Sequence, residues 1–258
     1  MNIAHCERPE AVFSSADQHD PASDSAKFFA NPVQTENTYR SDFSLGSMPE
    51  TGAEGAGEFN RFAFKALPVV AKDGLWFSAH LVKRDAVFEQ AWAIYNASFC
   101  DFERRSFLEQ RQVMGRPNYR FSAIRHEDDV VGVLGYWQFA EFCFVEHLAV
   151  SAAQRSGGFG CRALKLLQQH VRVPVVVDVE PFGADQNAAR RVAFYQRLGF
   201  LYCGVSVLLP PYENKQAAPS NLMAWPVALD RQGREHVLDT IGREVYGVSA
   251  FGPRHQAV

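Results

Sequence analysis

Val150-Ser151-Ala152-Ala153-Gln154-Arg155-Ser156-Gly157-Gly158-Phe159-Gly160-Cys161 leads from an apolar strand, through a polar glycine-rich loop, into a helix predicted over 158–171. The first turn of a helix carries backbone N–H groups without intrahelical partners and the positive end of the peptide dipoles. Glycines let a ligand approach that backbone closely, and Arg155 adds a formal positive charge at the mouth. The stretch therefore suits an anion, above all a diphosphate.

The loop by itself leaves several readings open. A P-loop requires GxxxxGK[ST], and no lysine follows Gly160, so that reading fails. A dinucleotide fingerprint fits Gly158-Phe159-Gly160-Cys161-Arg162-Ala163, with Asp178 twenty residues after Gly158. Against it, a seven-residue loop separates strand from helix, and too few strand–helix units follow to complete a doubly wound sheet. An acyl-CoA site with the pattern Arg155-x-x-Gly158-x-Gly160 fits as well, and so does a turn with no ligand.

Outward from the loop, Val175-Val176-Val177 within 174–179 reads as a central strand buried on both faces. A helix is predicted over 186–198, stopped by Gly199. Upstream, Val87, Ala91, Ile94, Tyr95 and Ser98 share one helical face, with Phe88 and Trp92 beside it, and a second short helix is predicted near 103–113. Residues 119–125, 130–139 and 142–150 read as strands, the last two joined at Ala140-Glu141. Short strands near 200–207 and 221–226 precede a closing amphipathic helix over 231–246. This order predicts a mixed α/β sheet of six or seven strands, antiparallel apart from one crossover.

Composition bounds the rest. The chain has 258 residues, 47% of them hydrophobic, enough for one good core. No run approaches the ~18 apolar residues of a membrane span, so no membrane association is expected. A net charge of −3 provides no global field for nucleic acid. The five cysteines are widely spaced and odd in number, which argues for a reducing, cytoplasmic setting. No His, Cys and Asp cluster has metal-ligand spacing, so no metal is expected. Residues 1–60 carry a net −7, against +4 for the remainder, and are rich in Ser, Asp, Glu, Gly and Pro. The expected organisation is therefore a disordered acidic extension over 1–70, a folded domain over 71–248 and a flexible tail over 249–258. The N-terminus lacks the basic start and apolar run of a signal peptide. The extension reads as a floppy tail, with an export or partner-docking segment as the alternative.

A second motif narrows these readings. Phe194-Tyr195-x-x-Leu198-Gly199-Phe200, at a helix end about 35 residues after the glycine loop, resembles the second cofactor motif of the GNAT superfamily of N-acetyltransferases, and the glycine loop resembles the first. Tyr136-Trp137-x-Phe139 through Glu146-His147-Leu148-Ala149-Val150 resembles the strand pair that feeds the loop in one bacterial branch. Glu103-Arg104-Arg105 fits that branch too, whereas Ser98-Phe99-Cys100 departs from its Ser-Phe-Pro at the third position. Ala188 stands where many members carry a cofactor-contacting asparagine. The resemblance covers about 75–248. It implies an acyl-CoA N-acyltransferase fold, a central and mostly antiparallel sheet with one βαβ crossover, flanked by helices. It also implies acetyl transfer from acetyl-CoA to a primary amine, by direct attack in a ternary complex.

The resemblance assigns the cofactor to Arg155, Ser156, Gly157, Gly158, Phe159, Gly160 and Cys161, and a polarising amide to the strand around Leu148, Ala149 and Val150. It makes Tyr195 the acid that protonates the departing thiolate; a core tyrosine closing the helix is the alternative. An alkyl amine, with a pKa near ~10, must lose a proton before it can attack. Glu146 interrupts an apolar strand and is the candidate base, because burial would raise its pKa; a solvent-facing glutamate is the alternative. His147, its neighbour, is expected on the opposite face and is the weaker choice. Cys161 sits near a helix N-terminus but has no evident paired base, which favours direct transfer over an acyl-enzyme. The acceptor pocket is expected from Tyr95, Glu103, Arg104, Phe121, Trp137 and Phe139, several of which would equally serve as core. The acceptor is a small-molecule amine or a peptide or protein amine, and the chain a monomer or homodimer. A non-catalytic acyl-CoA-binding protein and a dinucleotide-binding enzyme are the competing classes.

Overall fold

One seven-stranded sheet organises the computed structural model, which describes residues 74–81, 83–182, 184, 186–212 and 217–248. The expected N-terminal extension and C-terminal tail lie outside the described residues. In chain order the elements are β1 (Leu75–Phe77), α1 (Ala86–Ser98), α2 (Phe107–Val113), β2 (Tyr119–His126), β3 (Asp129–Gln138), β4 (Cys143–Val150), a 3₁₀ turn (Ala152–Gln154), α3 (Phe159–His170), β5 (Val175–Val179), α4 (Gln186–Arg197), β6 (Leu201–Leu209), β7 (Ala218–Trp225) and α5 (Arg231–Val245). The strands lie in the order β1-β2-β3-β4-β5-β7-β6. Only β4 and β5 run parallel, and α3 makes the crossover between them.

Local chemistry sets the helix boundaries. The Asp85 carboxylate accepts the Phe88 N–H at 2.9 Å and starts α1, a cap of the kind whose loss costs about 1 kcal/mol. Ser106 and Glu109 form a reciprocal capping box, so α2 begins at Phe107 and not near residue 103 as the sequence pattern suggested. Gly199, with φ of +82°, takes the left-handed position that ends α4. β1, only three residues long, is too short for its alternation to be read from sequence.

The sheet is the middle of three layers. On one face Phe88, Ala91 and Tyr95 of α1 and Val237, Leu238 and Ile241 of α5 pack against Phe121, Val133, Trp137 and Val176. On the other face Ala163, Leu164 and Leu167 of α3 and Val192 of α4 pack against Leu134, Val145, Val175 and Val177. The valine run of β5 thus divides between two cores, as a strand covered on both sides requires. Among the described residues no helix is long and apolar enough to cross a membrane.

Candidate active site

Two irregularities in β4 build the site. The first is a bulge. β3 pairs Gly135 with His147 but Tyr136 with Val145, which leaves Glu146 as an extra residue. Cys143, Val145, Leu148 and Val150 consequently all meet the α3–α4 core, while Phe144 and Ala149 meet the other. Strict alternation would have placed Val145 and Leu148 on opposite faces. Glu146 and His147 therefore project to the same side, against Arg105 and Tyr95 respectively, which corrects the expectation that they point apart. Apolar residues stand at both parities on each side of Glu146-His147, so the sequence pattern does not mark the inserted residue. Gly135 makes room for the bulge: a Cβ there would lie 2.8 Å from the Tyr119 hydroxyl and 3.4 Å from His147 Cβ.

The second irregularity is a splay. β4 and β5 pair only from Cys143–Val175 to Val145–Val177. β4 runs on to Val150, and β5 to Val179 with its other edge still paired to β7. A slot opens between the strands where Glu146 and Asp178 would have made the next rung. The Glu146 side chain is only 2% exposed although the whole residue is half-buried, so its main chain is what faces outward.

Beyond the far end of β4 lies the glycine loop. Ser156 and Gly158 have φ of +70° and +74°, and Gly158 is the N-cap of α3. No side chain caps this helix, residues 156–158 are exposed, and nothing lies within 4 Å of where a Gly158 Cβ would be. The N–H groups that open α3 are thus open to an anion, with Arg155 half-buried beside them. Phe159 is buried against His126 and seats the helix, and Gly160 packs on Val150 and Phe194. Cys161 is half-buried and free.

On the α1–α5 side the slot is lined by a buried polar cluster. Arg105 donates two hydrogen bonds to Glu146, at 2.7 and 2.6 Å, with both side chains almost fully buried. The Trp137 indole N–H and the Tyr212 hydroxyl also donate to Glu146, at 3.0 and 2.9 Å. Burial alone would raise the Glu146 pKa, as the sequence reading supposed. The Arg105 charge, with help from His147, outweighs burial and holds the carboxylate well below the usual range. Glu146 is ionised with both oxygens engaged, so its expected elevation is corrected: it anchors the bulge to the loop before α2. His147 Nε2–H donates to the Glu103 carbonyl at 3.0 Å and lies 3.4 Å from the Tyr95 hydroxyl.

Arg105, not Arg104, enters this cluster. Arg104 is turned outward to Asn96 and Asp101. Glu103 contributes its main-chain carbonyl, while its carboxylate accepts the Cys100 N–H at 3.4 Å. Tyr95, Phe121 and Trp137 are fully buried and serve as core and cluster support. Phe139 is half-buried, its ring centroid 6.2 Å from that of Trp137. Tyr212 follows β6, packs at 5.6 Å on Tyr246 and places its ring beneath the Arg105 guanidinium; sequence reasoning missed it because only the fold brings it to the slot.

Tyr195 lies near the end of α4 against Phe194 and Phe200. Burial and the nearby Asp178 charge hold its phenol well above the ordinary tyrosine range, so it keeps its proton at neutral pH. Among the described residues no group of three or more His, Cys, Asp or Glu is placed to hold a metal ion.

The profile of the acetyltransferase (GNAT) family matches residues 84–200. A solved structure from Bacteroides thetaiotaomicron, described as an acetyltransferase of the GNAT family, is similar with 32% identity and a TM-score of 0.58, over 62% of this chain and 92% of that one. Two others align more weakly. The acetyl transferase of Salmonella typhimurium that modifies the N-terminal serine of ribosomal protein L7/L12 has 15% identity and a TM-score of 0.49, over 64% of this chain and 100% of that one. The aminoglycoside 6'-N-acetyltransferase of Enterococcus faecium has 19% identity and a TM-score of 0.43, over 60% and 98%. No protein of curated function matches the chain.

Proposed function

The chain belongs to the GNAT acetyltransferase family, and from that premise we propose that it moves an acetyl group from acetyl-CoA to a primary amine by direct attack in a ternary complex. The observation that carries this reading is the unpaired slot between β4 and β5, with an uncapped helix N-terminus at one end and a buried polar cluster along one side. The backbone of residues 156–161 and the Arg155 side chain fit the diphosphate of the carrier, because the glycines leave the N–H groups open. The main chain of β4 from the bulge to Val150 has an edge without a sheet partner, and its N–H groups polarise the thioester carbonyl. The acceptor nitrogen forms the new C–N bond, the C–S bond breaks, and Tyr195 delivers its proton to the leaving sulfur. The tyrosinate regains a proton from the nitrogen, which sheds one on becoming an amide. Glu146 serves as the anchor that holds the bulge in place, because four hydrogen bonds and a cation leave it nothing to accept with.

A screen of primary amines, small-molecule and peptide, read by release of free CoA, tests the proposal. Amine-dependent release is the expected result. Binding of acetyl-CoA without acceleration by any amine would instead mark a non-catalytic acyl-CoA-binding protein. Thermal stabilisation by a nicotinamide dinucleotide and not by acetyl-CoA would overturn the reading altogether.

A further inference from the structure

Asp178 has no part in the mechanism above, yet it stands where Glu146 was expected to act. It occupies the rung of β5 directly after the last pair with β4, at the mouth of the splay. Val175, Val177 and Val179 face the α3–α4 core and Val176 faces the other, so alternation turns Asp178 to the side that holds Glu146, His147 and Tyr212. Its surroundings contrast with those of Glu146. No arginine or lysine pairs with it among the described residues, and its side-chain partner is the Ser220 hydroxyl, which donates to Oδ2 at 3.2 Å. The residue is half-buried and stands on the stretch of β5 that β4 leaves unpaired, beside the slot.

From this placement we infer that Asp178 is the general base, accepting the proton that the acceptor ammonium sheds before its nitrogen attacks. The inference rests on the acetyl-transfer reading above and deepens it. One carboxylate oxygen takes one proton from R–NH3⁺, giving R–NH2 and a neutral carboxyl, and the carboxyl returns that proton to solvent after the amide is released. The acceptor class that needs such a group is an alkyl ammonium, since an amine already neutral at pH 7 requires no base.

The charge environment fits the role. Burial raises the Asp178 pKa; the Ser220 hydrogen bond opposes this, and the negative charges of Glu146 on β4 and Glu103 before α2 add to it, so that it is pushed up to about 7. Tyr195 from α4 and Tyr246 after α5 also face it and stay neutral. The nearby cations are committed elsewhere, Arg105 to Glu146 and Arg191 to Glu180. A base with a pKa near the working pH combines availability with driving force.

The test uses the full chain, acetyl-CoA and N-α-acetyl-lysine methyl ester as the amine. Asp178→Asn is expected to bind acetyl-CoA within about threefold of wild type while kcat falls roughly 10²–10⁴-fold. In wild type, kcat/KM should rise with pH through an apparent pKa near 7, a limb absent from the variant. Ser220→Ala provides the second arm: loss of the donor that favours the ionised carboxylate should move the limb to higher pH, a shift that a merely structural serine would not produce. Retention of more than about a tenth of wild-type kcat in Asp178→Asn would overturn the inference while leaving the acetyl-transfer reading intact. So would a limb that Ser220→Ala leaves in place, or wild-type turnover of this ε-amine too slow to measure. If wild type bound no acetyl-CoA, the acetyl-transfer reading would fall first, and this inference with it.

Discussion

Replacing Arg105 by methionine isolates the interaction that fixes the bulge. Methionine keeps much of the buried volume but removes the guanidinium and its hydrogen bonds at 2.7 and 2.6 Å to Glu146. Glu146, 2% exposed, is left with the Trp137 and Tyr212 donors and with His147 Nδ1 at 3.6 Å, and without the guanidinium. Breaking a buried pair on one side costs roughly 3–5 kcal/mol, because the remaining charge is stranded. The pH dependence follows from the direction of the Glu146 shift. In wild type its pKa is depressed, so its stabilising contribution is full above the ordinary carboxylate value of 4.5 and is lost only as pH falls toward strong acid. In Arg105→Met burial is no longer opposed by the guanidinium, the pKa rises, and the proton can be taken up in mild acid. The variant should therefore be penalised most at pH 8 and less at pH 5. Urea unfolding followed by tryptophan fluorescence, at both pH values, measures this directly. The double variant Arg105→Met, Glu146→Met should recover most of the loss, since an apolar pair of similar volume tolerates burial. A loss below about 1 kcal/mol at pH 8, or a double variant no more stable than the single one, would refute the reasoning.

Other consequences are as specific. Tyr195→Phe should lower kcat by roughly 10²-fold or more with acetyl-CoA affinity little changed; a collapse of affinity with turnover per bound enzyme preserved would remove the acid role. Gly135→Val should cost roughly 1–3 kcal/mol in chemical denaturation, because its Cβ meets the Tyr119 hydroxyl at 2.8 Å; wild-type stability would mean that β3 yields there. Deletion of residues 1–70 should leave CoA release at its full rate, and a large fall in kcat would give the extension a part in catalysis.

Much of the architecture was legible because it rests on local chemistry. The valine run of β5, the glycine that stops α4 and the strand–loop–helix passage at 150–161 each follow from backbone preference and pattern. What escaped were properties that depend on partners far along the chain. Glu146 looked like a buried acid with a raised pKa; only the fold brings Arg105, 41 residues earlier, within hydrogen-bonding reach. Adjacent arginines 104 and 105 cannot be told apart by composition, yet one is buried in the ion pair and the other faces Asn96 and Asp101. Asp178 stood out in sequence as an acid at a strand end within the dinucleotide reading, and its place at the splay emerges only when β4 leaves β5 after Val145. Glu146 and His147 were separated by a correct rule, alternation, applied across a strand that a bulge interrupts.

The central claim is that the backbone at the start of α3 grips the diphosphate of acetyl-CoA. Calorimetric titration of the full chain with acetyl-CoA and, separately, with S-acetylpantetheine, which lacks the diphosphate, tests it most directly. The account predicts one-to-one binding of acetyl-CoA and at least a tenfold weaker association of the truncated thioester. Equal affinity for the two, or no binding of acetyl-CoA, would contradict it.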